Sequence, residues 1–103
     1  MDISEVIKEL NSKIKEKYSD FKGSYLYGSR ARGDFREDSD VDVVVLFDEI
    51  NRDKEMELYG ICADLDYKYD VVISLQPYTY DRLKKNYVYH NEVVNKGIYF
   101  DAA

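Results

Sequence analysis

The run Asp40-Val41-Asp42-Val43-Val44-Val45-Leu46-Phe47 constrains the fold more than any other part of this chain. It is apolar at consecutive rather than alternating positions and rich in β-branched residues. That is the pattern of a strand covered on both faces, which needs neighbouring strands beside it and helices above and below. Asp42 interrupts the run. An unpaired buried carboxylate costs several kcal/mol or gives up its charge, so an aspartate here calls for a specific partner.

The remaining segments supply the expected neighbours. Ile3, Val6, Ile7, Leu10 and Ile14 recur at helical spacing, which predicts an amphipathic helix from residue 3 to about 18, capped by Asp2 or Ser4. Ser24 to Tyr27 reads as a short aromatic strand running into Gly28-Ser29, and Ser29 to Arg32 as a brief helix ended by Gly33-Asp34. Phe35 to Ser39 is a polar connection. A second long helix is expected over 52 to about 67, and a third strand over Asp70 to Leu75, punctuated by Pro77. Short helices over about 79–85 and 87–97 follow, with Gly97 as a plausible C-cap. The order α-β-α-β-α-β-α predicts an α/β (α+β) fold, a small mixed sheet with helices packed against it, in one domain spanning 1–103.

Composition narrows the function classes. A net charge of −6 over 103 residues disfavours a body built to coat nucleic acid, where a basic face supplies most of the affinity. The single cysteine, Cys62, forms no internal disulfide and no zinc set, and reads as a small buried residue. No apolar run approaches the roughly 20 residues of a membrane span. The amino terminus lacks the basic start and apolar core of a signal peptide, so no membrane association and a cytoplasmic location are expected.

Two features carry chemistry. Gly28-Ser29 is a small-residue turn entering a helix, where unpaired backbone N–H groups are offered to phosphates. Asp40 and Asp42, at i and i+2 on a strand, share one face and aim hard oxygen ligands at one point, as suits Mg2+ bound together with substrate phosphates. Arg30 and Arg32 are candidate phosphate contacts, against the alternative that they pair with the acidic loop Asp34, Glu37 and Asp38 or anchor it. His90, the only histidine, reads as structural. Tyr25, Tyr27, Tyr59, Tyr67 and Tyr69 fall in core elements. Tyr78, Tyr80, Tyr87, Tyr89 and Tyr99 gather towards the carboxyl end, either as a protein-contact surface or as cover for the sheet.

Gly28-Ser29, ten intervening residues and Asp40-Val41-Asp42 resemble the signature of the DNA polymerase beta-like nucleotidyltransferase superfamily. The fuller Gly-Ser-Arg-Ala-Arg-Gly and Ser-Asp-Val-Asp-Val-Val-Val are similar to its minimal nucleotidyltransferase (MNT) branch. The resemblance implies transfer of a nucleoside monophosphate from an NTP, with ATP the expected donor, to a hydroxyl. Gly28 and Ser29, helped by Arg30, would hold phosphates, and Asp40 and Asp42 would ligate two Mg2+ ions. It also implies a third carboxylate on the neighbouring strand, as a metal ligand or as the proton acceptor. Asp70 is the best match, with Asp64 and Asp66 as rivals. Larger relatives add a helical domain that helps bind the acceptor. A chain of this length is expected to meet its acceptor on another protein, the tyrosine of a HEPN ribonuclease toxin for which it would serve as antitoxin. Two other readings stand beside this: a binding module that neutralises its partner by occlusion, and a transferase acting on a small molecule or an RNA end.

Overall fold

The computed structural model describes residues 2–36 and 38–102. Helix α1 (Ile3–Lys17) starts at Asp2, whose carboxylate accepts from the Ser4 N–H, so the first of the two expected caps is the one used. Strand β1 (Phe21–Tyr27) leads through Gly28 into a single helical turn, α2 (Ser29–Arg32), and strand β2 (Val41–Phe47) follows the 33–40 connection. Helix α3 (Arg52–Tyr69), capped by Asn51, precedes strand β3 (Ile73–Thr79). Then come α4 (Tyr80–Lys85), α5 (Tyr87–His90), a π-helical turn over Asn91–Asn95 and strand β4 (Ile98–Phe100). Among the described residues no helix is long and apolar enough to cross a membrane.

The four strands lie in the order β3-β2-β1-β4, with β1 antiparallel to both β2 and β4 and β2 parallel to β3. The sheet is therefore mixed, and β2 is interior. Val41, Val43, Val45 and Phe47 turn to one face and join Leu26, Ile73 and Leu75 under α1 and α3. Val44 and Leu46 turn to the other and pack with Leu83 and Val93, bordered by Tyr25, Tyr27, Tyr78 and Tyr89. Both faces of β2 are covered, as the apolar run Val43 to Phe47 requires.

Four features differ from the sequence reading. β1 begins at Phe21 rather than Ser24, because Gly23, at φ 119°, carries a register shift that keeps the strand paired past a glycine. The third strand begins at Ile73, not at Asp70. Helix α3 runs on to Tyr69, and Asp70 closes it in the left-handed conformation (φ 53°, ψ 51°), its N–H donating to the Asp66 carbonyl. β3 in turn continues through Pro77, which an edge strand tolerates because one side of its ladder needs no donor. The expected helix over 87–97 gives way to the π turn and β4, where Gly97 lets the chain pass close to β1. A Cβ on it would collide with the Val93 and Leu26 carbonyl oxygens.

Candidate active site

The turn and the carboxylates meet because β1 and β2 are paired in a register that sets Tyr27 opposite Asp42. Gly28 follows directly, at φ 75° and ψ −155°, a region open essentially to glycine alone. A side chain there would fall on the Asp42 carboxylate. The missing Cβ thus lets the backbone that opens α2 lie against Asp42. Ser29 occupies the first position of α2, where helix N–H groups have no intrahelical acceptor. With only four residues, α2 has little macrodipole, so an anion here would depend on the local N–H and hydroxyl groups.

Asp42 is half-buried and Asp40 exposed. Burial, and then the Asp40 charge beside it, push the Asp42 carboxyl above the ordinary carboxylate range, with Arg32 drawing it partly back. An acidic pair that raises its own protonation is short of cationic charge. This fits a divalent ion held by one or two carboxylates together with substrate oxygens. No cluster of three metal-ligating side chains forms among the described residues, so Asp70 does not close a triad with the pair. It is exposed, and with Arg30, Phe35, Asp38, Ser39, Val71 and Val72 it lines an open cleft of about 650 Å3. Asp64 is exposed on α3. Asp66 is committed to structure, accepting the Ile73 N–H at 2.9 Å through its side chain.

The arginines are engaged with the protein itself. Arg30 donates to the Ser39 carbonyl at 2.9 and 3.3 Å and lies 4.7 Å over the Phe35 ring, so it holds the loop that delivers Asp40. Arg32 pairs with Asp34 at 3.3 Å and with Glu92 of the π turn at 3.2 Å. His90 lies at the α5–π junction with its ring edge-on to Tyr80, and its buried Nε2 has no hydrogen-bond partner among the described residues.

Two tyrosines read from sequence only as core and carboxyl-end residues lie near the pair. The Tyr27 and Tyr89 hydroxyls share a hydrogen bond of 2.7 Å. Burial, that hydrogen bond and, more weakly, the Asp42 charge raise Tyr89, while burial and Asp42 raise Tyr27. Both therefore remain neutral hydroxyls beside the carboxylate. The available signal was position: Tyr27 is the last strand residue before Gly28.

A glycine turn seated on a strand carboxylate, within a mixed sheet backed by helices, fits a nucleotidyl-transfer site. The profile of the family Polymerase beta, Nucleotidyltransferase matches residues 8–96, and the chain belongs to that family. It is similar to a Methanocaldococcus jannaschii protein assigned as a protein adenylyltransferase, MJ0141, with 38% identity over 101 residues, covering 95% of this chain and 98% of that protein. Its fold is shared with a chain of a toxin–antitoxin crystal structure containing AMP-PNP, at TM-score 0.66 and 23% identity, covering 92% of this chain and 69% of that one. It is also shared with a chain from the complex of a tri-AMPylated Shewanella oneidensis HEPN toxin with its MNT antitoxin, at TM-score 0.52 and 18% identity, covering 89% and 69%. The chain is a nucleotidyltransferase of polymerase beta-like fold, with MNT antitoxins among its structural neighbours.

Proposed function

We propose that this protein transfers AMP from ATP to a tyrosine hydroxyl of a HEPN-type partner and acts as the antitoxin of that pair. The observation that carries the reading is the seat of Gly28 against the Asp42 carboxylate, which brings the turn suited to phosphates and the carboxylates suited to a metal to one point. The relative assigned as a protein adenylyltransferase and the fold shared with an MNT antitoxin complex support the acceptor class.

The Gly28-Ser29 turn lies on the β1 side of the β2 carboxylates. The cleft runs from Arg30 of α2 to Val72 beside β3, where the Val41 N–H donates to the Val72 carbonyl at 2.8 Å. In-line displacement needs the leaving and attacking oxygens on opposite sides of phosphorus. In this reading Gly28 and Ser29 bind the β- and γ-phosphates, and the acceptor hydroxyl approaches from the cleft. Mg2+, as two ions held by Asp40 and Asp42, would supply neutralisation of the triphosphate and of the charge that develops on it.

The acceptor oxygen forms a bond to the α-phosphorus, the bond from that phosphorus to the bridging oxygen breaks, and pyrophosphate departs. Asp70, on the acceptor side at the cleft rim, takes the hydroxyl proton. Arg30, held by the Ser39 carbonyl and the Phe35 ring, stands on the wall of the cleft, where its guanidinium would meet a phosphate.

The test is incubation with α-labelled ATP, Mg2+ and the partner protein, followed by mass analysis of the partner. AMP on a partner tyrosine, lost in Asp40→Ala/Asp42→Ala, supports the reading. Full neutralisation of the partner by the folded double variant, with no AMP transferred by the parent, refutes it in favour of occlusion, the mode that exposed Tyr87 and Val88 would serve.

A further inference from the structure

The second sheet face holds a cleft separate from the carboxylate pair. Tyr25 lies two residues before Tyr27 on β1, so it shares that face but sits nearer the β1 start. Tyr99 of β4 is its cross-strand partner, and the two rings lie 4.9 Å apart, tilted by 47°. Tyr80, the first residue of α4, joins them to line a cleft of about 380 Å3, with Asp81 and the Lys22–Asp48 pair also on its wall.

The arrangement is held in place. The Tyr99 hydroxyl donates to the Lys22 carbonyl at 2.6 Å. Gly23 makes room for that ring, since a Cβ there would lie 2.6 Å from the Tyr99 hydroxyl. Tyr80 and Tyr99 nevertheless remain 47% exposed.

We infer that this cleft binds the guanidinium of an arginine presented by a second polypeptide. Aromatic faces attract cations, and a planar guanidinium stacks on a ring while it pairs with a carboxylate. Both components are present. Asp81 has no ion-pair partner among the described residues, and Asp48 has an exposed contact with Lys22 at 3.4 Å. Lys84 lies 5.3 Å from the Tyr80 ring centroid, an intramolecular case of the same attraction. The site absorbs part of the tyrosine enrichment that nucleotidyl transfer leaves unused, and it stands or falls independently of the reaction.

The test is NMR titration of the full chain, labelled at tyrosine, with Ac-Gly-Arg-Gly-amide and with its citrulline counterpart, which keeps the shape and removes the charge. Saturable shifts of the Tyr25, Tyr80 and Tyr99 rings are expected, at a Kd on the order of 1 mM. Affinity should fall at least about tenfold for citrulline and severalfold in Asp81→Asn. Tyr80→Ser should abolish the shifts while ATP binding at the Asp40–Asp42 pair persists. Equal shifts with citrulline, shifts confined to the neighbourhood of Asp40 and Asp42, or no shift at several millimolar peptide would each overturn the inference. A parallel scan of backbone resonances confirms that both variants are folded.

Discussion

Replacing Gly28 and Gly33 in turn by alanine isolates what the contact with Asp42 contributes. Both glycines have positive φ, 75° and 84°. Gly33, at ψ 6°, is in the left-handed helical region, where a side chain costs about 1 to 2 kcal/mol. Gly28, at ψ −155°, is in a region nearly closed to other residues, at about 1 to 3 kcal/mol. With a urea dependence of roughly 1 to 2 kcal/mol per molar, each variant should lower the unfolding midpoint by about 1 M. Function should separate them. A Cβ on Gly33 meets nothing within 4 Å, whereas one on Gly28 displaces the Asp42 carboxylate. Misplacement by about 1 Å costs on the order of 100-fold in rate. AMP transfer, assayed by pyrophosphate release well below the unfolding midpoint, should fall about 100-fold in Gly28→Ala and stay within about twofold in Gly33→Ala. Equal losses in the two variants, or wild-type transfer by Gly28→Ala, would refute the claim that the turn positions the carboxylate.

Asp42→Asn should stabilise the metal-free protein at pH 7, read as a higher urea midpoint. Burial and Asp40 raise the folded-state value above the ordinary 3.8, so the ionised form carries a penalty above the folded value that is absent below 3.8, and the gain should vanish on acidification through that window. Cys62 is buried and its thiol is pushed from 9.0 to about 12. At pH 8 its thiolate fraction is about a thousandfold below that of a free cysteine, and Ellman's reagent should react only after urea unfolding. Asn11→Ala removes donors to the Phe100 and Asp101 carbonyls, both at 3.2 Å, and the acceptor for buried Ser24. A loss of about 2 kcal/mol should lower the Tm by roughly 10 °C in a calorimetric scan.

The parts of the molecule readable in advance were those written in local pattern. The β2 run announced a strand covered twice, the stripe of α1 announced its buried face, and Gly28 and Asp42 lie together as their spacing suggested. What escaped depends on partners distant in sequence. Asp70 reads locally as a strand residue, but the hydrogen bonds of Asp66 to Val71 and Ile73 close α3 around it first. The hydrogen bond from Arg30 to the Ser39 carbonyl nine residues later has no signal in the local pattern. Asn11 sits in an apolar stripe, and its buried amide becomes intelligible only once Phe100 and Ser24 lie beside it. β4 has three residues, too few for a periodicity to declare itself.

The late pairing of β4 with β1 has a consequence for synthesis. As the chain leaves the ribosome, β1 can zip to β2 once residue 47 has emerged, but Ser24, Tyr25 and Leu26 find their second neighbours only with residues 98–100. Until then an interior strand is an open edge, its backbone free to recruit the same segment of another nascent chain. A premature stop or proteolytic cut just beyond Gly97 should therefore release an adhesive protein prone to aggregate, far from a slightly shortened enzyme.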